Sequence, residues 1–262
     1  RRQFAPQFPS LAPGFASPPL PLPSGRDALF LDFDGTLVDI AATADAVVVP
    51  PTLVELLLAL EEAFDGALAI LTGRPIADLD RLLAPARFVA AGIHGAEYRA
   101  SPGEIVRRAA MPLPDALVVR LRDLETRYPG VRVEDKGPTT AVHWRAVPEI
   151  ADDLVPVLAD IVAEAPDHLE IRRGRKVHEI VPRHVSKGAA LEILCGLDRF
   201  AGRRPIMIGD DFTDETAIEA AERLGGLGFR VAGETFPPAV ADFETPRRVR
   251  AWLADLLERM RR

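Results

Sequence analysis

The sequence is poor in several residue types, and each scarcity excludes something. It holds one cysteine in 262 residues, Cys195. A single thiol rules out an internal disulfide and any multi-cysteine zinc site, so the chain needs no oxidising compartment and a cytoplasmic setting is expected. Cys195 lies among Leu191, Ile193 and Leu194, a pattern expected of a core thiol. There is no basic surplus: 39 Asp and Glu face 32 Lys and Arg, a formal net charge of -7. Nucleic-acid affinity comes largely from cations that neutralise phosphates, so no nucleic-acid partner is expected. Beyond the leader, no stretch approaches the roughly 18 consecutive apolar residues of a membrane span, and no membrane partner is expected. Internal repeats and coiled-coil heptads are also absent.

Proline is abundant at the front. Residues 1–25 hold Pro6, Pro9, Pro13, Pro18, Pro19, Pro21 and Pro23. Arg1 and Arg2 look like the charged end of a signal sequence, but proline interrupts every apolar run that follows. A polyproline-like or disordered leader is expected there.

From Ala28 the pattern becomes regular. Ala28 to Leu31 reads as a buried strand ending in Asp32. Thr52 and Glu55 have capping-box spacing and predict a helix through about Phe64. Ala67 to Leu71 predicts a second strand, Pro75 the first position of a helix, and Arg87 to Ala91 a third strand. Alternating strands and helices imply a doubly wound α/β parallel sheet.

Between Met111 and Pro182 the order changes. A helix over Pro114 to Arg127 precedes strands over Val131 to Lys136 and Thr139 to Val147. A second helix, from about Pro148 to Glu164, precedes strands over His168 to Arg172 and Lys176 to Val181. Helix, hairpin, helix, hairpin predicts an inserted α+β unit with an antiparallel sheet. The βα order returns at Ser186, with a strand over Pro205 to Ile208, a helix to Leu224, a strand over Gly228 to Val231 and a last helix from Thr245-Pro246. The expected division is a leader (1–25), a first core part (26–108), an inserted unit (109–183) and a second core part (184–262).

Four clusters carry the chemistry. Asp32-Phe33-Asp34-Gly35-Thr36-Leu37 follows the first strand, where open α/β sheets bind ligands. Two carboxylates there need a positive partner, and Gly35 permits a tight turn whose N–H groups can receive an anion. Asp210, Asp211 and Asp214 follow the strand at Ile208, with Thr213 expected as N-cap. Asp214 is accounted for by the helix dipole, whereas Asp210 and Asp211 with Asp32 and Asp34 offer an oxygen-rich Mg²⁺ site. Thr72-Gly73-Arg74 offers a hydroxyl and N–H groups at another strand end. Lys187, behind the expected N-cap Ser186, opposes the helix dipole and so calls for an anion nearby.

These pieces in this order resemble the haloacid dehalogenase superfamily, from about Asp27 onward. The resemblance implies an α/β HAD-like core with an inserted α+β cap. It implies Asp32 as nucleophile, Asp34 as general acid/base, and Thr72 and Lys187 as phosphate clamps. Asp32, Asp34 and Asp210 are implied as metal ligands for Mg²⁺, with Asp211 and Asp214 orienting them. Gly35, Gly73, Arg74 and His94 are placed near the phosphate site. Arg183 and His184 are expected to be structural residues of the hinge.

The inserted segment adds Glu134-Asp135-Lys136-Gly137, His143-Trp144-Arg145 and Lys176-Val177-His178-Glu179-Ile180-Val181-Pro182. Alternation puts Glu134 and Lys136 on one strand face, and His143 with Arg145 on another. By periodicity alone these are as well read as a solvated sheet face with cross-strand charge pairs. Together with Gly92-Ile93-His94-Gly95-Ala96-Glu97, however, they look like trehalose-6-phosphate phosphatases. That resemblance implies that Glu134, Lys136 and Glu179 bind the distal sugar, with His143 and Arg145 nearby. A monomer is expected. The small-molecule partner is then a sugar phosphate, hydrolysed through an aspartyl-phosphate. Phosphatases for sucrose phosphate or mannosyl-phosphoglycerate, and a non-catalytic sugar-phosphate sensor, are the alternatives.

Overall fold

A computed structural model describes residues 26–41, 43, 46–165, 168–174 and 176–261. The expected leader lies outside them.

The first half builds β1 (Asp27–Asp32), α1 (Pro51–Ala63), β2 (Leu68–Leu71), α2 (Ile76–Leu83), β3 (Val89–Gly92), β4 (Glu97–Arg99) and β5 (Arg107–Arg108). After the intervening segment come α5 (Lys187–Cys195), β10 (Arg204–Gly209), α6 (Phe212–Arg223), β11 (Leu227–Arg230) and α7 (Pro246–Met260). These strands form one seven-stranded sheet in the order β11-β10-β1-β2-β3-β4-β5. The strands from β11 to β3 are parallel, and every residue of β1 and β2 is buried. Burial on both faces is why they read as continuous apolar runs. The chain winds outward from β1 in both directions, so β1 and β10 flank the topological switch point, where ligands collect.

Two features differ from the sequence-based expectation. The sheet is extended by an antiparallel pair, β4 and β5. They are short and polar, with a fully exposed β5, and so carry no apolar signature. Helix α1 begins at Pro51 with no side-chain cap, so Thr52 lies inside the first turn. Pro51 has no N–H to satisfy and a preset φ, which makes the capping box unnecessary.

The intervening segment builds α3 (Asp115–Arg127), β6 (Arg132–Asp135), β7 (Thr140–His143), α4 (Ala151–Ala163), β8 (Leu169–Gly174) and β9 (Val177–Pro182). Its strands form a separate antiparallel sheet, β6-β7-β9-β8. Leu117, Leu121 and Leu124 of α3 and Leu154, Leu158 and Ile161 of α4 pack with Val142 and Ile180 into an apolar cluster of their own. Alternation sends the neighbours of Val142 and Ile180 to the opposite face. There Glu134, Ala141 and Glu179 stand in register in one row across three strands. The small Ala141 side chain leaves space between the two carboxylates.

Strand β7 ends at His143, four residues earlier than expected, because the chain turns at Trp144, where Val147 N–H donates to Trp144 O at 3.1 Å. Arg145 therefore falls in an exposed turn and does not share a strand face with His143.

One buried cation secures the sheet edge. Arg99 is 1% exposed and pairs bidentately with Asp80 at 2.7 Å and 2.7 Å. It also donates to Phe88 O at 2.8 Å. Arg99→Leu removes both short hydrogen bonds to Asp80, leaving it only the longer Arg87 contact at 3.7 Å, and should destabilise the chain by about 3 kcal/mol in urea unfolding. A loss under about 1 kcal/mol would show that the pair adds little.

Candidate active site

Asp32 ends β1, Thr72 follows β2, Asp210 follows β10, and Lys187 opens α5. Parallel pairing in register puts these strand ends side by side. Lys187 is buried, and its Nζ donates to Asp32 Oδ1 at 2.6 Å and to Asp214 Oδ1 at 2.7 Å. Burial alone would lower its pKa, but the charges of Asp214 and Asp32 outweigh that and raise it. This is the anion that the cation at a helix start calls for.

Carboxylate oxygens of Asp32, Asp210 and Asp214 all lie within 4.8 Å of one another. Burial, then the charges of Asp32 and Asp214, push the Asp210 pKa upward against the pull of Lys187. Burial, then Asp32, does the same to Asp214. Burial and mutual repulsion thus favour protons on carboxyls that one ammonium cannot satisfy, and a divalent cation would take the place of those protons. Asp32 Oδ2 is moreover buried without a hydrogen-bond partner. Asp214 spends both oxygens: Oδ1 on Lys187, and Oδ2 on the N–H groups of Asp210 (3.1 Å) and Asp211 (3.0 Å). The oxygen-donor set therefore fits Mg²⁺, with Asp32 and Asp210 offering the available oxygens.

The structure revises two expectations at this centre. Asp34 does not join the cluster through its carboxylate. Arg74 takes both oxygens, with Nε 2.6 Å from Oδ2 and an Nη 2.8 Å from Oδ1, a bidentate pair. The N-cap of α6 is Asp211, not Thr213. Asp211 accepts from Phe212 N–H at 2.7 Å and forms a capping box with Asp214. Aspartate caps at least as well as threonine, and here it stands two residues earlier.

Gly35 has φ 86°, and a Cβ there would fall 2.1 Å from Asp210 Oδ2. Only glycine lets this turn lie against the Asp210 carboxylate. Thr72 is buried behind the cleft, where its hydroxyl accepts from Arg74 N–H at 3.1 Å.

Above the cluster opens a cleft of about 330 Å³. Asp32, Asp34, Gly73, Arg74, His94, Lys187, Asp210 and Asp211 line its floor and side, and Glu134 and His143 face them from the four-stranded sheet, with Lys136 just past the end of β6 rather than on its strand face. His143 Nε2 lies 3.0 Å from Glu134 Oε2, and this hydrogen bond lowers the Glu134 pKa despite partial burial. Glu179 stands behind, with His94 Nε2 3.3 Å from Oε2 and Lys136 Nζ 3.4 Å from Oε1. Burial would raise its pKa, but His94 and then Lys136 hold it well below the carboxylate range. Arg145 is outside the cleft. Asp78, Glu234 and Thr235 also line it and had no recognisable sequence signal. Thr235 donates to Asp211 Oδ1 at 2.9 Å across 24 residues.

A parallel sheet with an aspartate pair at its switch strand and a lysine bridging two buried carboxylates defines the haloacid dehalogenase-like class. The fold agrees with a haloacid dehalogenase-like hydrolase from Bacteroides thetaiotaomicron, with TM-score 0.64, 18% identity, and coverage of 88% of this chain and 99% of that one. Residues 30–240 match the trehalose-phosphatase family model, so the chain belongs to that family. A probable trehalose-phosphate phosphatase of Sinorhizobium fredii is 41% identical, over 82% of this chain and 79% of the relative. A trehalose-6-phosphate phosphatase of Escherichia coli is 39% identical, over 79% and 78%.

The raised Asp210 pKa makes a prediction. In the metal-free chain near neutral pH, Asp210→Asn should raise the melting temperature by about 3 °C, since an amide replaces a carboxyl that folding keeps from ionising. The same change should abolish the rise in melting temperature that Mg²⁺ gives the wild type. Equal Mg²⁺ shifts in both proteins would move the metal away from Asp210.

Proposed function

We propose that the chain hydrolyses trehalose 6-phosphate to trehalose and phosphate. One observation carries the reading: the buried carboxylate–lysine cluster lies at the bottom of a cleft whose opposite wall presents Glu134, Lys136 and His143. The floor suits a phosphoryl group and the wall suits sugar hydroxyls. In this reading residues 109–183 are the specificity cap, inserted between core parts 26–108 and 184–262. A single thiol fits the reducing cytoplasm. Among the described residues no helix is long and apolar enough to cross a membrane.

Asp32, held through Oδ1 by Lys187, attacks phosphorus as the phosphorus–sugar oxygen bond breaks, giving an aspartyl-phosphate. Asp34 protonates the departing sugar oxygen, then takes a proton from the water that breaks the phosphorus–Asp32 bond. The incoming phosphate competes with Asp34 for the Arg74 guanidinium and so releases that carboxyl for its work. Lys187 and the Thr72 hydroxyl stabilise the phosphoryl oxygens. Asp32 and Asp210 would hold Mg²⁺, which supplies positive charge where two anions meet. Asp214 and Asp211 orient these groups through the α6 capping box. Glu134 accepts and Lys136 donates hydrogen bonds to the distal sugar, with Glu179 behind them.

Phosphate release is to be measured over trehalose 6-phosphate, sucrose 6-phosphate, mannosyl-phosphoglycerate and p-nitrophenyl phosphate. Trehalose 6-phosphate should give the highest kcat/KM, and Asp32→Asn should bind it while losing at least about 10³-fold in turnover. A faster rate on another sugar phosphate would reassign the substrate. Glu134→Ala should raise KM for trehalose 6-phosphate about tenfold, with a smaller change for p-nitrophenyl phosphate. Equal losses would show that the wall does not read the sugar.

A further inference from the structure

Between β3 and β4 the chain adopts a backbone that its residues disfavour. Ile93 has φ 49° and His94 φ 54°. A β-branched residue rarely holds positive φ, and such outliers gather where a side chain must be aimed. Ile93 N–H donates to Arg74 O at 2.9 Å and His94 N–H to Thr72 O at 3.0 Å, fastening the turn to the loop after β2. The His94 ring rests on Gly73, where a Cβ would come within 2.5 Å of Cε1. From there Nε2 reaches Glu179 Oε2 at 3.3 Å, with the two side chains 14% and 8% exposed. The other ring nitrogen, Nδ1, is buried without a partner, so the polar engagement of the ring is with Glu179. Glu179 stands in the four-stranded sheet, and His94 in the turn that joins two strands of the seven-stranded one. Glu179 shares its row with Glu134 and meets Lys136 on its other oxygen.

We propose that His94 is a positioning residue for Glu179. Anchored to the seven-stranded unit by a strained turn, it fixes the Glu179 carboxylate of the four-stranded sheet behind the Glu134 and Lys136 side chains that line the cleft. Selectivity then depends on a hydrogen bond between the two units as well as on the residues that touch the sugar. The substrate arm of the test rests on the trehalose 6-phosphate reading, while the exchange arm does not.

Two variants of the full chain separate aiming from packing. His94→Phe keeps a ring against Gly73 but has no donor, whereas His94→Gln restores an N–H. In His94→Phe the ratio of kcat/KM for trehalose 6-phosphate to that for p-nitrophenyl phosphate should fall about tenfold, chiefly through KM. His94→Gln should recover most of it. The double variant His94→Phe/Glu179→Gln should lose no more than Glu179→Gln alone, since both break one link. Hydrogen–deuterium exchange should quicken over residues 132–143 and 177–182 in His94→Phe, not over α7, and slow again in His94→Gln. An unchanged substrate ratio, additive losses, or unchanged exchange would each overturn the proposal. If the wild type does not hydrolyse trehalose 6-phosphate, the substrate reading fails. Exchange in His94→Phe then decides the role of His94 by itself.

Discussion

The contact on which the site depends is the buried one between Lys187 Nζ and the carboxylates of Asp32 and Asp214. It joins the end of β1, the start of α5 and the first turn of α6. An ammonium removed from water is costly unless paired, and this one is paired twice. The pairing does not balance the charge, because Asp210 adds a third buried carboxylate. The site is therefore built to be incomplete: it lacks positive charge, which a divalent cation would supply so that an anionic phosphate ester could approach.

The fold supplies the precision. Parallel strands β10, β1 and β2 run in register, so Asp210, Asp32 and Thr72 emerge at one edge. Asp214 ties both Asp210 and Asp211 by their N–H groups, which makes the α6 capping box a positioning device as well as a helix start. The four-stranded sheet has its own apolar cluster and spends its other face on polar groups. In the proposed reading, chemistry and recognition are carried by two sheets that meet across the cleft and at the His94–Glu179 contact.

Much of this was legible in the sequence, for local reasons. Asp32, Asp34 and Asp210 stand out because each follows a buried apolar strand, and Lys187 because it opposes its helix dipole. What stayed hidden depends on distant packing. Nothing local shows that Arg74 claims the Asp34 carboxylate across 40 residues, or that Thr235 reaches Asp211. Arg145 looked strand-like because the apolar alternation continues past the point where the chain turns. Helix caps were misjudged where a second candidate stood close by, as with Asp211 before Thr213. The β4–β5 extension is too short and polar to leave a periodic signal.

The most direct measurement is phosphate release from trehalose 6-phosphate by EDTA-stripped chain, before and after Mg²⁺ is returned. The uncompensated carboxylate cluster predicts negligible release from the stripped chain and saturable recovery at one ion-binding site. Turnover by the stripped chain equal to that with Mg²⁺ would contradict it, because the crowded carboxylates would then need no cation for the chemistry.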